Sequence, residues 1–62
     1  MNEVYRCAHI HVQDLNNNWF VARVVNNTNQ QYLFSQMKQL QDSYQSRRVK
    51  ATDESGRVID IL

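Results

Sequence analysis

The sequence predicts an α+β fold of order β-β-α-β-β: a single antiparallel four-stranded sheet, strand order 2-1-3-4, with one helix packed on one face. Three observations carry this. Apolar and polar residues alternate near the N-terminus, an apolar stripe recurs at three and four residues in the middle, and two short apolar runs near the C-terminus flank the only glycine.

Residues Glu3 to Gln13 form the first strand. Val4, Ala8, Ile10 and Val12 fall on one side, with Arg6 interrupting. Tyr5, Cys7, His9, His11 and Gln13 fall on the other. Asp14 to Asn18 is a turn, because Asn16, Asn17 and Asn18 tolerate the left-handed backbone that a tight reversal needs. Trp19 to Asn26 is the second strand. Unbroken alternation there pairs Val12 with Phe20, Ile10 with Ala22 and Ala8 with Val24 on the core side. It sets His11 beside Val21, His9 beside Arg23 and Cys7 beside Val25 on the other.

Thr28-Asn29-Gln30-Gln31 has the spacing of a capping box, so a helix is expected from Thr28 to the region of Tyr44 to Ser46. Leu33, Phe34, Met37, Leu40 and Tyr44 make its apolar stripe. Arg47 to Asp53 and Arg57 to Ile61 are the third and fourth strands, joined by Glu54-Ser55-Gly56 with Gly56 in the left-handed position. That register pairs Ala51 with Ile59 and Val49 with Ile61 inside. It also sets Asp53 beside Arg57, and Lys50 opposite Asp60 on the outer face. The helix joins two strands of one sheet by a crossover, which places strand three beside strand one.

Composition narrows the function. The 62 residues read as a single domain, 1–62, with a small core. Cys7 is the only cysteine, which excludes an intrachain disulfide and fits a reducing compartment. There is no basic-then-apolar leader and no apolar run near the length of a membrane span, so a cytoplasmic protein is expected. One glycine leaves no phosphate-binding loop, and a net charge of +1 is low for a duplex-DNA binder.

Cys7-x-His9-x-His11 offers soft ligands on one side of a strand. Cys7 and His11 would lie about 13 Å apart along it, so one metal could take two of the three at most. The cross-strand neighbours Val21, Arg23 and Val25 add no ligand. No metal and no cofactor are therefore expected. No nucleophile, base and polarising group converge, so the chain is not read as an enzyme.

The face away from the helix carries the functional expectation. Tyr5, Cys7, Trp19, Val21, Val25, Val58 and Leu62 would be exposed there on a lone monomer, beside His9, His11 and Arg23. A continuous apolar patch marks a contact site. The expected function is a small protein-interaction or regulatory module that binds a protein partner, or a second copy of itself as a homodimer, through Tyr5, Cys7, His9, His11, Trp19, Val21, Arg23 and Val25. The alternative is single-stranded nucleic acid held by the same aromatic and basic face, with Arg48 and Lys50 on the phosphates. Aromatic and basic residues do not interleave cleanly, which favours the protein partner.

Overall fold

The structure, a computed structural model, describes residues 7–26, 29–45 and 48–62. Its elements are β1 (Ala8–Gln13), β2 (Trp19–Val25), α1 (Gln30–Tyr44), β3 (Val49–Asp53) and β4 (Val58–Ile61). The four strands form one antiparallel sheet in the order β2-β1-β3-β4. The segment Glu3 to Arg6, expected as the start of the first strand, lies outside the described residues.

Both hairpins are built by an aspartate and a left-handed residue. Asp14 Oδ1 accepts from the Asn16 and Asn18 amides, and Asn17 turns with φ 67°. At the second turn Asp53 Oδ1 accepts from the Ser55 amide, the Ser55 hydroxyl and the Arg57 amide, while Gly56 takes φ 91°. An L-residue with a Cβ rarely adopts such an angle.

α1 is capped by Asn29. Its side chain accepts from the Gln31 and Tyr32 amides at 3.0 and 3.2 Å. The capping box expected at Thr28 falls outside the described residues, and the observed cap stands one residue later. At the other end Gln45 turns left-handed at φ 51° and closes the last turn onto Asp42. Leu33, Met37 and Leu40 are buried at a spacing of four and three, as one face of a helix requires. They meet Ala8, Ile10, Val12, Val25, Val49 and Ala51 from the sheet. Phe34 and Tyr44, expected in the same stripe, stay about half exposed. The helix lies over the central strands β1 and β3, so its buried stripe is narrower than the apolar pattern and the flanking aromatics reach the rim.

Two registers differ from unbroken alternation. Along β2, Phe20 pairs with Val12 and Val21 with His11, but Arg23 pairs with Ile10, Val24 with His9 and Val25 with Ala8. Ala22 is therefore an extra residue, a β-bulge, and every side chain after it changes face. Val25, expected on the open face, is buried in the core; Val24, expected in the core, is exposed. Arg23, also expected on the open face, turns to the helix side and donates to Gln36 Oε1. Phe20 does hold the helix side, meeting Tyr44 edge-on at 5.5 Å.

The same happens on β4. Val58 pairs with Thr52, Asp60 with Ala51 and Ile61 with Lys50, which makes Ile59 the extra residue. Lys50 thus faces Ile61, not the Asp60 expected from charge pairing. Ile61 moves to the open face, and Leu62, expected there, packs against the core beside Ile59. Both edge strands are bulged beside the central Ile10–Ala51 pair. A bulge bends and twists an edge strand away from regular pairing, which protects it from indiscriminate strand addition.

Candidate interaction face

The sheet face opposite α1 is organised by β1, whose alternation is unbroken. Ala8, Ile10 and Val12 are buried under the helix, so His9, His11 and Gln13 point away from it. The ladder then fixes the rest. Opposite these side chains stand Val24, Val21 and Trp19 on β2, and Thr52 and Lys50 on β3. Beyond β3 come Val58 and Ile61 on β4.

The result is a polar strip between two apolar rails. In the strip, His11 Nε2 lies 2.9 Å from Thr52 Oγ1. The Lys50 ammonium lies over the Trp19 ring, 4.5 Å from its centroid, where the negative face of the indole attracts it. Thr52 is buried, while His9, His11 and Lys50 are half-buried. The rails are the exposed part. Trp19, Val21 and Val24 are 36, 49 and 52% exposed on one side, and Val58 and Ile61 47 and 51% on the other.

Of the residues expected on this face, His9, His11, Trp19, Val21 and Lys50 are brought together. Cys7 is half-buried just ahead of β1. Arg48 is exposed just ahead of β3, and its carbonyl accepts from Gln13 N. Arg23 and Val25 belong to the other side. Tyr5 lies outside the described residues. Val24 and Ile61 were not legible as members of the face, because their placement depends on the two bulges; Thr52, at the same parity as Lys50 on the unbulged β3, follows from alternation. Among the described residues, no three His, Cys, Asp or Glu side chains are grouped to hold a metal.

Burial, then the Lys50 ammonium, then His9 hold the His11 imidazole below its ordinary pKa. The folded state therefore binds the His11 proton less readily than the unfolded chain does. That contribution to stability is fully present above the ordinary histidine value of about 6.5 and is lost as pH falls below it, levelling off under the folded value. Asp53 is shifted in its own sense: the Ser55 hydroxyl above all, with the Arg57 and Ser55 amides, holds its carboxyl below the ordinary carboxylate range. Its contribution is present above that range and fades only as pH falls through the lower folded value. Acid titration of stability should thus show two separate losses. In His11→Gln the first, near neutral pH, should shrink while the second persists, as read by urea unfolding at a series of pH values.

Two hollows lie among the described residues outside this face. A cleft of about 190 Å³ lies between the first turn and the end of the helix, floored by Val12, Phe20 and Tyr44, with Leu15 at its lip. Leu15 is 85% exposed, an apolar residue in an otherwise polar turn. A second hollow of about 310 Å³ is lined by Gln30, Gln31, Phe34 and Asp60. The cleft falls short of the usual size of a small-molecule site, and the hollow barely reaches it. Among the described residues, no helix is long and apolar enough to cross a membrane. Comparison with models of protein families, with curated proteins and with solved structures returns no match.

Proposed function

We propose that this chain is a non-catalytic interaction module that binds a protein partner through the open face of its sheet. The observation that carries the reading is the pair of apolar rails, Trp19, Val21 and Val24 on β2 with Val58 and Ile61 on β4, all exposed on a face that no element among the described residues covers. An antiparallel sheet with one solvated face ordinarily alternates apolar inside with polar outside. Here both outer strands depart from that rule. A regulatory or adaptor role belongs to the same proposal, and the single free thiol of Cys7 supports a reducing compartment such as the cytoplasm.

Two features favour a protein partner over single-stranded nucleic acid on this face. Arg23 faces the helix side, and the Trp19 ring, the large stacking surface among the described residues of the face, is covered by Lys50. Aliphatic rails offer neither stacking nor phosphate neutralisation.

Val21→Glu tests the proposal. Val21 is half exposed, so the substitution should leave the fold and its urea midpoint nearly unchanged. In a complex through this face it would bury an unpaired charge, a cost of several kcal/mol, and binding should be lost. Sedimentation of wild type and Val21→Glu across concentration reads self-association; capture with each from an extract of the producing cell reads a foreign partner. A self-complex or a captured protein that is indifferent to Val21→Glu places the interaction elsewhere and removes the proposal.

A further inference from the structure

We infer that the partner which covers this face presents an acidic amphipathic helix, lying along the strip between the two rails. This rests on the interaction reading above and adds the chemistry of what is bound.

Charge is the first ground. The strip carries His9 and His11 from β1 and Lys50 from β3, and β2 and β4 add no charged side chain to this face. The described carboxylates are all elsewhere. Asp14 and Asp53 are committed to the turn amides, and Glu54 sits in the second turn. Asp42 is on the helix, and the β4 bulge turns Asp60 toward the helix side, beside Gln30, Gln31 and Phe34. A chain of net charge +1 thus has a sheet face with basic groups and no described acid. The β2 bulge moves Arg23 off the same face, so what is left is a narrow basic strip, not a broad basic surface.

Width is the second ground. The rails stand on β2 and β4, three strand spacings apart, or about 14 Å. A helix with its side chains is about 10–12 Å across. It would set an acidic stripe on His9, His11 and Lys50 and its apolar flanks on Val21 and Val24 to one side and Val58 and Ile61 to the other. α1 already covers the opposite face in this way, over the same central strands. A single extended strand is too narrow to reach both rails. A second copy stacked through the same face would lay basic strip on basic strip with no described acid between them.

Acidification separates these occupants. As His11 gains a proton, an acidic helix is held more tightly and a second copy is repelled. An anionic ligand over His11 also offsets the Lys50 and His9 charges that hold down its pKa.

The test uses the full chain and two fluorescently labelled synthetic helices of about 18 residues, each with a leucine-flanked stripe. The stripe is glutamate in one and lysine in the other; single-stranded oligo-dT is a third probe. Anisotropy is read at pH 7.5 and pH 5.5. The glutamate helix is expected to bind about tenfold or more tighter than the lysine helix, and to tighten at pH 5.5. Lys50→Glu should abolish that preference, and Val21→Glu should abolish binding. Equal binding of the two helices, weakening of the glutamate helix on acidification, preferential binding of oligo-dT, or no binding of the glutamate helix each overturns the inference. Equal binding that Val21→Glu still abolishes removes the charge preference and keeps the interaction face. A wild-type dimer that dissociates at pH 5.5, and is absent in Val21→Glu, assigns the face to a second copy instead. Glutamate-helix binding that survives Val21→Glu removes the face itself.

Discussion

Leu40→Ala is expected to lower the unfolding free energy by about 2–5 kcal/mol, the range for truncating a buried leucine. Leu40 is 3% exposed and stands in the last buried turn of α1, after Leu33 and Met37. Those three side chains are the whole buried stripe by which the helix is held to the sheet. A 62-residue domain has roughly 3–9 kcal/mol of stability in all, so the variant should be partly unfolded at room temperature or nearly so. Urea unfolding followed by far-ultraviolet circular dichroism measures it. Phe34→Ala is the control: Phe34 is 46% exposed on the flank of the same helix, and its loss should cost less than half as much. If Phe34→Ala cost more than Leu40→Ala, the helix would have to be rotated from the orientation described.

How much of this was legible in the sequence depended on which strand carried the signal. β1 alternates cleanly: Ala8, Ile10 and Val12 against His9, His11 and Gln13. One residue of slippage there would bury two imidazoles, so its face is fixed by pattern alone. The hairpins were legible too, because Asn17 and Gly56 sit where a left-handed residue is required. Both termini of the helix were readable to within a residue or two, the usual slack of caps. β2 was not legible. Trp19-Phe20-Val21-Ala22-Arg23-Val24-Val25 is apolar at both parities, so alternation cannot choose between Val24 and Val25 for the core. What separates them is tertiary. With the bulge at Ala22, Arg23 reaches the Gln36 amide on the helix side, away from the basic strip, and Val25 closes the core beside Ala8. Val58-Ile59-Asp60-Ile61 poses the same problem on β4. There the charge pairing of Lys50 with Asp60 is a weaker constraint than packing Ile59 and Leu62 against the core, since surface ion pairs contribute about 1 kcal/mol or less. The interaction face inherited the errors of its edge strands. Alternation along β1 was enough to set His9 and His11 on the open side, with Lys50 and Trp19 beside them, while Val24, Val25, Ile61 and Leu62 exchange sides at the bulges.

Val25→Glu should therefore unfold the protein, while Val24→Glu, one residue away, should not. Val25 is 5% exposed and surrounded by apolar core side chains, so a carboxylate there loses its hydration among groups that cannot pair with it. Removing one partner of a buried ion pair costs about 3–5 kcal/mol, and an unpaired introduced charge costs no less. That is comparable with the entire stability expected of a domain of this length. The glutamate could take up a proton to escape the charge, which would raise its pKa and make the variant's stability recover partly as pH falls, the reverse of the wild-type trend set by His11. Val24 is 52% exposed opposite His9 on the open face, and a carboxylate there stays in water beside an imidazole. Val24→Glu should keep the wild-type circular dichroism and melt within a few degrees of it, and on the proposed function it should lose binding as is expected of Val21→Glu. Unbroken alternation along β2 would give the opposite pair of results, with Val24→Glu unfolded and Val25→Glu folded. Thermal unfolding of the two variants side by side thus decides whether Ala22 is bulged, and with it which residues of β2 stand on the open face of the sheet.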